Sequence, residues 1–163
     1  YEFKRKSLRI YRQPKFEFVK EVSRYDDEFD LKKNQDNKKI IENAVNIILK
    51  DKRKENIHAI LLFGSFADGS FTSMSDIDVC AVFNTSISLK GATEFRIRIA
   101  SELPDKVDIQ VFNILPQKIK KSIARNHMVL YKDATYDNIG FTIHHLKDDD
   151  YFVRMEKIFG QKA

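Results

Sequence analysis

From residue 37 onward, apolar and polar positions alternate in blocks that change period. Ile40, Ile41, Ala44, Val45, Ile48 and Leu49 recur at helical spacing behind Asp36 and Asn37, either of which can cap. Lys50, Lys52, Arg53 and Lys54 follow at the negative end of the helix dipole. This predicts an amphipathic helix of about four turns. Ile57–Phe63 is short, wholly apolar but for His58, and stopped by Gly64, which predicts a strand buried on both faces. A short helix is expected to open at Ser65 or Phe66.

From Asp76 to Phe83 the period is two. Asp76, Asp78, Cys80 and Val82 fall on one face, with Ile77, Val79, Ala81 and Phe83 on the other. Ala92, Phe95, Ile99 and Leu103 form a helical stripe that Pro104 closes. Lys106–Phe112 then alternates with Val107, Ile109 and Val111 inward, which turns Asp108 to the opposite face. Pro116 is expected to open a helix with Ile119 and Ile123 inward, before a brief strand at Met128–Tyr131. A strand-like Phe141–Thr142–Ile143 and a helix-like stretch from Tyr151 to Phe159 complete the chain.

The polar stretch from Tyr25 to Lys39 can bury little surface, and the main module is placed after it. The expected organisation is a basic extension over 1–35, a module over 36–133, and a C-terminal extension over 134–163 that packs on the module or on a partner. At 163 residues one domain with extensions is the default. The single cysteine, Cys80, excludes an internal disulfide, lies in an apolar run as a buried thiol, and points to a reducing, cytoplasmic setting. No apolar run is long enough to span a bilayer and no leader pattern opens the chain, although it begins at Tyr1 rather than Met, which leaves room for an upstream segment. Residues 1–25 hold eight Lys or Arg against three Glu, so the whole excess charge of +5 belongs to that arm. Such an arm is a solvated tail by default and a nucleic-acid or acidic-partner contact by alternative.

The candidate chemistry lies between the first two strands. Gly64-Ser65 is a turn that brings backbone close to an anion without a Cβ, and Ser65 adds a hydroxyl donor. After a ten-residue spacer come Asp76 and Asp78, co-directed at i and i+2. Two such carboxylates stay ionised cheaply only with a cation between them, and oxygen-only donors favour Mg²⁺ or Mn²⁺ over zinc. Asp108, from another strand, would complete a site for two metal ions. The combination suits transfer of a nucleotidyl group from a nucleoside triphosphate to an acceptor hydroxyl. His144-His145 beside Asp148, Asp149 and Asp150 is read as exposed polar surface, since adjacent strand histidines face opposite sides.

Gly64-Ser65, the spacer, Ser75-Asp76-Ile77-Asp78-Val79 and Val107-Asp108-Ile109 together resemble the signature of the DNA polymerase beta-type nucleotidyltransferase superfamily. The similarity runs over roughly residues 37–133. It is nearest to the minimal nucleotidyltransferases, antitoxins encoded beside a helical HEPN partner. The resemblance implies an α/β (α+β) fold with a mixed β-sheet, helices packed on one face and the acidic site on the other. It implies triphosphate binding by Gly64 and Ser65, both metal ions on Asp76 and Asp78, and the catalytic ion also on Asp108. The implied donor is a nucleoside triphosphate, ATP above all, and an acceptor consistent with the chemistry is a tyrosine of a HEPN-type partner. One residue departs from the pattern: many small relatives carry arginine where this chain has Asp68, and an acid beside a triphosphate is unfavourable unless it points away. The rival reading is a fold-retaining regulatory subunit that binds without catalysis.

Overall fold

The computed structural model describes residues 28–72 and 74–147, with side chains from residue 35 onward. The basic arm, the helix-like stretch from Tyr151 to Phe159 and the Asp148–Asp150 acids lie outside the described residues. The elements are α1 (Glu28–Ile48), β1 (Ile57–Phe63), α2 (Ser65–Asp68), β2 (Ile77–Phe83), α3 (Leu89–Ala100), β3 (Val107–Val111), α4 (Gln117–Arg125), β4 (His127–Lys132) and α5 (Asn138–Leu146). The strands form one mixed sheet of order β3-β2-β1-β4, in which β1 pairs antiparallel with both β2 and β4 while β2 and β3 run parallel.

The larger core lies between the sheet and α1 and α3. It joins Val45 and Ile48 of α1, Ile60 and Leu62 of β1, Val79 and Ala81 of β2, Phe95 and Ile99 of α3, and Ile109 of β3. Phe66 of α2 belongs to the same cluster. Ser88 caps α3 by accepting from the Gly91 N–H at 3.0 Å, one of the orphan donors at a helix start. The expectation of helices on one face describes this core. To it the structure adds a smaller cluster on the acidic face, where Ala59, Leu61, Cys80 and Val82 meet Phe112, Ile123 of α4 and Tyr136, with Phe141 of α5 packed against them. Residues of β1 and β2 are therefore buried on both faces, which is why they read as near-continuous apolar runs.

Several expectations need correction. The first helix begins at Glu28, not after Asp36, and the line drawn between residues 35 and 36 falls inside it. Lys, Gln, Glu and Leu are good helix formers, so a polar stretch extends a helix whose C-terminal half is anchored by packing. Asn37 is not a cap; it is buried, and its Oδ1 accepts from Lys106 Nζ at 3.0 Å. On α4, Ile123 is buried but Ile119 faces solvent, because the cluster it would join is filled by Phe112 and by α5.

Phe141–Ile143 is helical, not a strand. The Asp137 carboxylate accepts from the Ile139 N–H and caps α5, and Phe141 packs on Phe112 with ring centroids 4.9 Å apart. Three alternating residues were too few to fix a period. His144 and His145 accordingly are helical neighbours rather than opposite faces of a strand. His145 packs against Phe112 and Phe141, and burial drives its imidazole down to about 4.

Candidate active site

The acidic end of the sheet is assembled by register. Phe63 at the end of β1 pairs with Asp78 of β2 and with His127 of β4, and Asp78 pairs with Asp108 of β3. Asp78 and Asp108 are thus direct neighbours across a parallel pair and share a face with Cys80 and Gln110, one step along each strand. Asp76 sits just before β2, exposed, and its charge reaches Asp78. The Ile77 N–H donates to the Lys106 carbonyl at 2.7 Å, which locks the start of β2 beside β3.

Asp78 is half-buried, and its carboxyl is pushed up to about 6. Burial is the first cause, the Asp108 charge the second and the Asp76 charge the third. The carboxylate on the neighbouring strand therefore weighs more on Asp78 than the one in its own Asp-x-Asp pair. Among the described residues no ion pair reaches Asp76, Asp78 or Asp108. Nor do three acid, His or Cys side chains close into a ready-made metal cage there. The donor set is nonetheless one that a hard divalent cation suits, with carboxylate oxygens on adjacent strands and one of the acids driven up by burial and by its neighbours' charges.

Gly64 explains its own presence twice. Its φ of +73° lies where side chains are disfavoured, and a Cβ there would collide with Asp78 Oδ2. The turn is therefore pressed against the acid, joining the two halves of the motif. The Gly64 carbonyl accepts from the Ala67 and Asp68 N–H groups, so α2 starts at Ser65 with its first amides unclaimed by the helix. Asp68 bends away into its own turn, where Oδ1 accepts from the Ser70 N–H at 2.9 Å and the Ser70 hydroxyl at 2.6 Å. Those bonds hold its carboxyl below the usual range.

The spacer is tied down by local contacts, of which sequence reasoning missed the aromatic one. Phe71 stacks on Phe66 at 4.3 Å, with planes 13° apart. Ser75 Oγ accepts from the Thr72 N–H at 2.8 Å, which makes Ser75 a loop clasp. Gln110 was also missed: its Nε2 donates to Asp108 Oδ2 at 2.9 Å. Its i, i+2 spacing from Asp108 was the available signal.

Residues 43–136 match the family described as Polymerase beta, Nucleotidyltransferase. The chain belongs to that nucleotidyltransferase family. A Methanocaldococcus jannaschii protein named "Putative protein adenylyltransferase" is 38% identical over 80 residues, which cover 47% of this chain and 57% of that protein. The chain thus matches little more than half the length of that relative. Among solved structures, one chain of a toxin–antitoxin crystal structure with AMP-PNP superposes with a TM-score of 0.55 at 19% identity, covering 74% of this chain and 96% of its own. A tri-AMPylated Shewanella oneidensis HEPN toxin in complex with its MNT antitoxin gives a chain matching with a TM-score of 0.50 at 16% identity, over 78% of this chain and 96% of that one. At these identities the structural likeness shows the fold. No helix among the described residues is long and apolar enough to cross a membrane.

Proposed function

We propose that this chain transfers AMP from ATP to an acceptor hydroxyl, a tyrosine of a HEPN-type helical partner, with Mg²⁺ or Mn²⁺ held by Asp76, Asp78 and Asp108. The observation that carries the reading is the register of Asp78 beside Asp108, with the Gly64 turn pressed against the Asp78 carboxylate. The relative's adenylyltransferase name and the solved complexes with AMP-PNP and an AMPylated HEPN toxin support the choice of nucleotide and acceptor.

In this mechanism the Gly64-Ser65 backbone and the Ser65 hydroxyl hold triphosphate oxygens. Asp76, Asp78 and Asp108 would hold the divalent ions, through carboxylate oxygens of the kind such hard cations prefer. When bound there, such ions would supply neutralisation of phosphate charge and a lowered proton affinity of the acceptor hydroxyl. The acceptor oxygen forms a bond to the α-phosphorus, the bond to pyrophosphate breaks, and the hydroxyl proton is lost to water. The chain's own contribution is to place three acids and a side-chain-free turn around one phosphorus atom, so orientation accounts for much of the rate. The turned-away Asp68 carboxylate keeps its charge in its own loop, which supports an open phosphate path.

Incubation with α-³²P-labelled ATP, Mg²⁺ and a co-expressed helical partner should label the partner. The same label should vanish with Asp76→Asn and with chelator. No label on any protein or small acceptor with any of the four nucleotides, despite intact nucleotide binding, would favour the non-catalytic subunit.

A further inference from the structure

Gln110 follows Asp108 by two positions on β3, the strand at the edge of the sheet, and so shares its face. It sits half-buried beside Cys80 of β2, whose thiol is wholly buried, and this seats the glutamine stem against the smaller core. Its amide nitrogen must be the atom turned to Asp108, because an ionised carboxylate only accepts. The bond from Gln110 Nε2 to Asp108 Oδ2 is 2.9 Å, and no other side chain among the described residues bonds that carboxylate.

The chemistry of position 110 is selective. Asp108 stands directly across from Asp78, so repulsion drives the two carboxylates to rotate apart. An arginine or lysine at 110 would quench that repulsion but would also compete with the cation the acids are to hold. An apolar residue would leave Asp108 free to swing. A neutral donor restrains one oxygen, leaves the other for a ligand, and keeps the full negative charge of the site.

We propose that Gln110 is a positioning residue for the acidic site, whose amide fixes the orientation of Asp108 for a divalent cation. This rests on the reading of Asp76, Asp78 and Asp108 as metal ligands. The test is titration of the full chain with Mn²⁺, following free Mn²⁺ by electron paramagnetic resonance, for wild type, Gln110→Met, Gln110→Ala, Asp78→Asn and Asp108→Asn. Gln110→Met keeps the stem and removes the donor, and should weaken Mn²⁺ binding about tenfold at an unchanged melting temperature. Gln110→Ala should do the same.

If both Gln110 variants bind Mn²⁺ as wild type does while Asp78→Asn and Asp108→Asn lose it, Gln110 has no positioning role and the acidic site stands. If binding in the Gln110 variants falls only in proportion to the fraction unfolded, the positioning role fails likewise. If the two Asp variants also bind as wild type, the metal-site reading itself is wrong and the inference falls with it.

Discussion

The two ends of the sheet handle charge in opposite ways. At the end where β1 begins and β2 finishes, charge meets a partner, His58 Nδ1 lying 2.9 Å from Asp133 Oδ2, and in the helical layer Arg98 of α3 likewise grips Asp51, just past α1, through Nε and a second nitrogen, both at 2.9 Å. Asn113 there donates to the Phe83 carbonyl and accepts from the Phe83 N–H, which closes the end of β2. At the other end Asp78 faces Asp108, with Asp76 beside them and no described basic group paired to any of the three. One end is arranged for stability. The other stores repulsion that a cation can relieve, and that difference is what the proposed site rests on.

The sharpest way to break the comparison is Asp78→Asn. On the functional reading, nucleotidyl transfer should fall by about a thousandfold or more, since a principal charge-stabilising group is lost. Without metal, stability should hold or rise, because the substitution removes a half-buried charge from between two others. Transfer assays and thermal melts in chelator would check both halves. A clear loss of stability would show that the acids serve structure.

Gly64→Ala comes next. Its positive φ and the collision with Asp78 Oδ2 should cost about 2 kcal/mol in denaturant unfolding and most of the activity. Adding Asp78→Ala should recover part of that stability, since it removes the atom that collides. Strict additivity of the two losses would mean that the turn and the acid are not in contact.

Asn113→Ala probes the satisfied end. Losing two part-buried bonds to Phe83 should cost about 1–2 kcal/mol by urea unfolding and leave the kcat of any transfer unchanged.

The pH response should separate the ends by sign. The His58 and Thr135 bonds hold the Asp133 carboxyl below its usual range despite partial burial, and Arg98 does the same for Asp51. Their stabilisation is present above the unfolded carboxylate value, about 4, and is lost as pH falls through the lower folded values. Asp78 is raised to about 6, so its contribution is full below about 4 and is lost as pH rises through 6. Melts in chelator across pH 3–8 should therefore show a maximum between these limits. Asp78→Asn should flatten the limb between pH 4 and 6, and Asp133→Asn the acid limb.

Much of the acidic end was legible because it depends on local rules. A strand alternates sides with period two, so Asp78 was turned to the face of Cys80 and Asp108 was turned from the core by Val107, Ile109 and Val111, whereas Asp76, expected on the same strand, lies just before it. The glycine was legible as a turn residue, but its collision with Asp78 was not, because that contact needs β1 and β2 paired at a known register. Phe141–Ile143 was misread as a strand because its helix depends on the Asp137 cap and on a distant ring, Phe112. Ile119 pointed inward on helical spacing alone, while the space it would fill was already taken.

By itself the sequence determined periods, breaks and residue chemistry: which segments are helix or strand where the run is long enough, which side Asp78 and Asp108 take, and that a glycine turn precedes them. Folding decided what stands beside what. That β3 runs parallel to β2 with Asp108 opposite Asp78, that Gly64 touches the acid, and that Gln110 is the one described side chain bonded to Asp108 are consequences of pairing between strands far apart in the chain. Backbone alternation is set within a few residues, whereas register is set by burying both faces of the sheet at once, and only the second brings like charges together.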